Sequence, residues 1–439
     1  MTICLAITSF SPQVGLIATY YDNFSKLLSQ YGHRVLILLI DHDSTPTDED
    51  EIREEKNITK IILKKRFHHF RNYYKKYFRP GGFEAQHWIA NGFATREWLL
   101  KNHKAFDIDI IQTPDYGGLG VFLSDNDLPP LVVFGHGCLT QISRYNYVKD
   151  DSHVIILKKL EKLSFEQADA IMTHSPLNKQ DLGQLTGRNI EFAIAPWKND
   201  ENIFQSSPTS NSIVVAGGLQ AVKGAVVMAA AMCISAAKNP ALCLNWFGGD
   251  TYTAEGNQSM TSFLQKKYPD IWNKNFVWQG KKTRQETKKE LAAATFVVIP
   301  SLWETFGWTA LEAASLGKSI IMTDKTGASY LFTHGYDAWI IPSNNPEKLA
   351  EAIELLSNNS ELCKKLCNNA KLMVQQVFNE KEIAEERIKL FENIIQNRKP
   401  HTNTFEEQIT FLIKYITLSR KLYYSLRAFA KKIIGPGKK

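Results

Sequence analysis

The feature that most constrains this chain is an alternation, repeated twice, of short β-rich runs with longer amphipathic runs. In the first half, residues 3–8, 35–40, 110–113, 131–134, 170–173 and 192–195 read as strands, with helical patterns at 17–31, 84–101 and 155–166. A polar stretch, NDENIFQSSPTSNS at 199–212, reads as a linker. The alternation then restarts, with strands expected at 212–216, 242–247, 276–279, 296–300, 319–323 and 338–341. Buried strands separated by helices predict parallel sheets covered on both faces. The expectation is an α/β chain of two Rossmann-like domains, 1–198 and 213–379, joined by a hinge at 199–212 and followed by C-terminal helices over 380–439. Ligands of open parallel sheets sit beyond the carboxyl ends of the strands, so chemistry is expected in strand-end loops facing each other across a cleft.

A chain of 439 residues, 44% hydrophobic, is long enough for two packed cores. Its opening, MTICLAITSF, reads as a first buried strand and not as a secretory signal, and the longest small-apolar run, 224–237, falls short of the roughly 20 residues that span a bilayer. A cytoplasmic protein is expected. The six cysteines follow no disulfide rhythm and are expected to be reduced; Cys363 and Cys367, one helical turn apart, lack the further ligands of a metal site. The net charge of +7 is concentrated. The segment 64–79, KKRFHHFRNYYKKYFR, carries +7 and the segment 401–439 carries +6, which leaves the body of the chain acidic. Local basic clusters interleaved with aromatics fit an anionic membrane surface or an acidic acceptor better than nucleic acid.

The sharpest chemical signal is PSLWETFGWTALEAASLGKSIIMTDKTGAS at 300–329. After a buried strand, Glu304 sits in a loop, Gly307 permits a tight turn, and a helix begins that carries Glu312. This spacing lets the loop carboxylate reach one part of a ligand and the helix carboxylate another. Backbone N–H groups of Thr305, Phe306 and Gly307 lie at the helix N-terminus, suited to hydroxyl or phosphate oxygens. The stretch resembles the group 1 glycosyltransferases, the large retaining family of GT-B fold (family 4), whose two glutamates stand in a strand, E-x-F-G, L-E-A context. The resemblance implies that Glu304 holds donor-sugar hydroxyls and Glu312 the ribose of the nucleotide.

A second match, VVAGGLQAVKGAVVMAAA at 214–231, is similar to the family's G-R-L-x-x-x-K-G segment. The likeness implies that the loop with Gly217 and Gly218 approaches the donor and that Lys223 neutralises its diphosphate. The family's usual arginine is Gly218 here, and Lys281, Lys282 or Arg284 is the expected substitute. In the first half, 8–38 resembles the family's first strand, glycine loop and helix, with Gly15 either near the donor phosphates or serving a simple turn. By the same resemblance His136 faces the donor sugar and orients it, or is satisfied by nearby backbone. Asp115 either holds an acceptor hydroxyl or shapes the turn with Gly117 and Gly118.

The resemblance implies retaining transfer of a hexose-type sugar from a UDP- or GDP-linked nucleotide-sugar to a glycan or lipid-linked acceptor in cell-surface polysaccharide or glycolipid synthesis. No cofactor or metal is expected. The segment 64–79 and the last helix, 405–434, are expected to lie on an anionic membrane surface, the alternative being a charged solvent face over a packed helix. A catalytically silent nucleotide-sugar-binding subunit is the alternative.

Overall fold

A computed structural model describes residues 1–8, 16–40, 50–64, 69–70, 83–148, 152–198, 212–402, 405–416 and 428. Gly15, the linker at 199–211, most of the basic segment 64–79 and most of 417–439 lie outside the described residues.

The strands are β1 (Thr2–Ile7), β2 (Arg34–Leu39), β3 (Glu51–Glu55), β4 (Ile58–Ile62), β5 (Ile110–Pro114), β6 (Leu131–Phe134), β7 (Ala170–Thr173), β8 (Ile190–Phe192), β9 (Ser212–Ala216), β10 (Cys243–Phe247), β11 (Phe276–Gly280), β12 (Phe296–Ile299), β13 (Ser319–Thr323) and β14 (Trp339–Ile341). They form two sheets, ordered β3-β4-β2-β1-β5-β6-β7-β8 and β11-β10-β9-β12-β13-β14. All pairings are parallel except β3 with β4. Central strands such as β1, TICLAI, and β13, SIIMT, are buried at every residue, which is why they read as continuous apolar runs. In each sheet the chain winds outward in one direction and then reverses, between β1 and β5 in the first and between β9 and β12 in the second. Such switch points open a crevice at the carboxyl ends of the two strands.

Two differences from the sequence reading have local causes. The hairpin β3–β4 was not foreseen, because β3, EIREE, is a charged and largely exposed edge strand with no apolar period. Strand β8 covers Ile190–Phe192 and not 192–195. Its register follows β7, which ends at Thr173; Ala193 donates a last bond to the Thr173 carbonyl at 2.9 Å, and the apolar run beyond it packs into core without a ladder.

The C-terminal helices return to the first domain. Helix Glu380–Gln396 packs on helix Leu16–Gln30 and buries the guanidinium of Arg387. Arg387 donates to Tyr20 Oη at 2.8 Å and to the Ile194 carbonyl at 3.3 Å, and lies over the rings of Phe24 and Phe134 at 4.5 and 5.3 Å. Helix Phe405–Ile416 places Phe405, Ile409 and Leu412 in the core of the first domain, where Arg96 covers the Phe405 ring. The apolar face of these turns is therefore occupied by protein. Within the basic segment, Lys64 pairs with Glu51 and Phe70 is buried against Phe93. Among the described residues no helix is long and apolar enough to cross a membrane, and all six cysteines are free.

Replacing Arg387 by Ala is expected to lower unfolding stability by ~3 kcal/mol, since a buried hydroxyl and a carbonyl lose their donor and two rings lose their cover. Denaturant melts measure this. Arg387→Lys should fail to restore it, because a point charge does not span both partners.

Candidate active site

The second domain builds its side of the cleft from the loops after β9 and β12, adjacent strands at the switch point. Gly224 opens helix Ala225–Lys238 at φ 77°, and a Cβ there would collide with the Pro300 carbonyl. This close approach lets Leu302 donate to the Val222 carbonyl at 2.8 Å, joining the two loops. Lys223 and Glu304 consequently face each other. Lys223 Nζ donates to Glu304 Oε1 at 2.5 Å, and Ser301 Oγ donates to Oε2 at 2.9 Å. The Glu304 backbone is held by Lys325 and Gly327, and Gly307 then caps helix Trp308–Ser315. Within that helix Glu312 is approached by Arg284 at 3.4 Å.

The first domain supplies the loop after β6. His136 stands there with its ring 4.6 Å from Tyr20 and 5.6 Å from His174. His174 lies beneath it, edge-on to Phe306 of the other domain at 4.6 Å. Burial, then His174 and the Arg387 charge, push the His136 imidazole well below its ordinary range. Burial and Arg387 bring His174 down to about 3. Both rings are neutral at physiological pH. Among the described residues, His136 Nε2 and the Trp303 indole N–H are buried without a hydrogen-bond partner, and the Tyr145 ring lies nearly parallel to Trp303 at 6.5 Å.

Lys223, Glu304, Thr305, Phe306, Gly307 and His136 line one cleft, open to solvent, between the two domains. Gln220, Trp303 and His174 line it too. Sequence reasoning passed over these three, although Gln220 and Trp303 lie inside stretches that carry the resemblance. Glu312, Gly217 and Gly218 stand outside this lining. A Cβ at Gly218 would meet the Gln220 side chain first, at 3.3 Å. Of the proposed substitutes for the absent arginine, Lys282 pairs with Glu290 at 3.5 Å and Arg284 with Glu312.

Of the two roles open to Asp115, the geometry fits the turn-shaping one. Its carboxylate is enclosed and not offered to a ligand: Oδ1 accepts from Tyr116 and His136 N–H at 2.9 and 3.0 Å, and Oδ2 from Gly137 N–H at 3.1 Å. Burial pushes it up to about 6, against the lowering effect of these donors. It shapes the loop. Among the described residues no group of three or more His, Cys, Asp or Glu comes together as metal ligands.

An ammonium beside a carboxylate, faced by a neutral imidazole, suits a ligand rich in hydroxyl and phosphate oxygens. Residues 198–373 match the family described as glycosyl transferases group 1, and residues 17–192 match glycosyltransferase family 4. The N,N'-diacetylbacillosaminyl-diphospho-undecaprenol alpha-1,3-N-acetylgalactosaminyltransferase of Campylobacter jejuni is 31% identical over 114 residues, 26% of this chain and 30% of that protein. The stretches shared with the first curated relatives span 26% to 30% of those proteins' lengths. Sucrose-phosphate synthase from Thermosynechococcus elongatus superposes with a TM-score of 0.66 at 18% identity, over 90% of this chain and 99% of that one. Anabaena HepE in complex with UDP-glucose superposes with a TM-score of 0.60 at 15% identity, over 90% and 100%. These structures share the GT-B fold with this chain.

The two imidazoles give the site a pH signature. His174 is held near 3 in the folded protein and titrates near 6.5 when unfolded, so the unfolded chain binds the extra proton and stability is lost as pH falls from 6.5 toward 3. The contribution approaches about 1.4 kcal/mol per pH unit for one proton. His174→Phe is expected to flatten the stability profile across this window relative to the parent. Parallel profiles from denaturant titrations would contradict the assignment.

Proposed function

Starting from a chain that belongs to the group 1 glycosyltransferases, we propose that it moves a hexose-type sugar from a UDP- or GDP-linked donor to a glycan or lipid-linked acceptor, with retention and without a bound metal. The observation that carries this reading is the Lys223–Glu304 pair at the mouth of one strand-end crevice, facing His136 from the other. The ammonium and carboxylate satisfy each other. A donor replaces that contact: its diphosphate takes the Lys223 ammonium, and its sugar hydroxyls take Glu304.

Bond cleavage places additional negative charge on the departing diphosphate. Lys223, fixed before the reaction by the abutting loops, stabilises that charge without reorganisation. The incoming hydroxyl attacks from the same face and passes its proton to the leaving phosphate. His136, neutral, orients the sugar by hydrogen bonding and removes no proton. Glu312 holds the ribose, and Arg284 beside it supplies the cation that Gly218 lacks. A UDP-glucose complex in a structural neighbour and an undecaprenol-linked substrate in the name of a relative support the donor and acceptor classes. A place in surface polysaccharide or glycolipid assembly, at the inner face of a membrane, follows from those classes. The basic segments 64–79 and 417–439 would make the membrane contact, since helix Phe405–Ile416 has its apolar face in the core.

Incubation with a panel of nucleotide-sugars should release nucleoside diphosphate from at least one. Lys223→Ala and Glu304→Gln should each reduce that rate by ~10²–10³-fold, and NMR of the first-formed product should show the donor's anomeric configuration. Binding without release from any donor would instead mark a silent subunit. In flotation with vesicles containing anionic lipid, the protein is expected to rise with the vesicles; recovery from the bottom fraction removes the membrane assignment.

A further inference from the structure

The loop carrying His136 rests on two buried carboxylates with no cation partner among the described residues. Asp115 takes the N–H groups of Tyr116, His136 and Gly137. Glu161, on helix Ser152–Gln167, takes those of Leu139 at 2.9 Å, Thr140 at 3.3 Å and Gly117 at 3.4 Å. Desolvating two carboxyl groups is costly, and the backbone N–H groups offset it only in part: burial still pushes Asp115 up to about 6 and Glu161 up to about 8. Such an arrangement fixes the orientation of each peptide plane it touches.

One of those planes reaches across the cleft. The peptide between His136 and Gly137 has its N–H on Asp115 Oδ2 at 3.1 Å, and its carbonyl accepts from Thr305 Oγ1 of the other domain at 2.9 Å. Both groups belong to one rigid unit, so the carboxylate sets the direction of the carbonyl and polarises it as an acceptor. Gly137 lies at φ 111°, and a Cβ there would sit 2.8 Å from Thr305 Oγ1. No side chain fits between the domains at this point. Thr305 directly follows Glu304, whose own backbone is tied to its neighbours.

We propose that Asp115 is a positioning residue for glycosyl transfer: through the His136–Gly137 peptide it presents the carbonyl that seats Thr305, and so fixes the Glu304 loop against the first domain in the closed cleft. This rests on the transferase reading for its kinetic consequences but not for its conformational ones. The coupling runs from a buried carboxylate in one domain to a hydroxyl in the other through a single amide.

The test is a double-variant cycle on the full chain with Asp115→Asn, Thr305→Val and both together, with Thr305→Ser as the conservative control. Kinetics are read with the donor that the panel identifies, and closure by small-angle X-ray scattering with and without UDP. Each single variant is expected to lower kcat by ~10-fold or more with donor KM within about 2-fold, and the double variant to lose no more than the worse single one. Thr305→Ser should return kcat to within about 2-fold of the parent. Asp115→Asn and Thr305→Val should both enlarge the radius of gyration. Losses that multiply in the double variant, or a Thr305→Val protein with parent kcat and parent scattering, overturn the proposal. If Asp115→Asn does not fold, the Thr305→Val and Thr305→Ser pair decides by the same criteria. If the parent itself turns over no donor, the transferase reading fails while the scattering still tests the seat.

Discussion

The site depends on a glycine pressed against a carbonyl. Where Gly224 meets Pro300, the loops after β9 and β12 come within hydrogen-bonding distance of each other, and Lys223 is delivered to Glu304. Any side chain at 224 would drive these loops apart before it touched the chemistry. The parallel order of β9 beside β12 puts the two loops at the same sheet edge; the absence of a Cβ closes the last distance. The pair of opposite charges is thus a product of backbone proximity, and the backbone proximity is a product of sheet topology.

Beneath the cleft, charge is managed differently. Asp115 and Glu161 are held by peptide N–H groups, and Arg387 by a hydroxyl, a carbonyl and two aromatic faces. None of the three relies on an opposite charge among the described residues. Fixed dipoles of this kind do not exchange with a ligand, whereas the Lys223–Glu304 contact is partly exposed, as the proposed exchange with a donor requires. Immobile polar support lies under an exchangeable pair, and the neutral state of His136 and His174 follows from the same desolvated floor.

Much of this was legible in the sequence. Fully buried parallel strands leave continuous apolar runs, so the two sheets could be read directly, and the Lys223, Glu304 and Thr305–Gly307 cluster could be read because each half is a contiguous stretch following a strand. The charged edge strand β3 was invisible because it buries almost nothing. Asp115 was seen but left open between two roles, since a carboxylate before Gly117 and Gly118 looks the same whether it faces a ligand or the backbone. Glu161, His174 and Arg387 were not singled out as site residues. Their partners are brought by tertiary packing, 367 positions away in the case of Arg387 and Tyr20, and no local pattern records such distances.

The return of helices Glu380–Gln396 and Phe405–Ile416 to the first domain has a mechanical corollary. The polypeptide passes between the halves twice, once between Lys198 and Ser212 and again near Phe378, where Trp197 and Phe378 lie 6.4 Å apart. Topologically the second domain is an insertion within the other half. A body tethered at one point can swivel in any direction, whereas a second crossing close to the first narrows the directions open to it. Any motion that carries Glu304 away from His136 is then restrained at its base, where the rings of Trp197 and Phe378 meet.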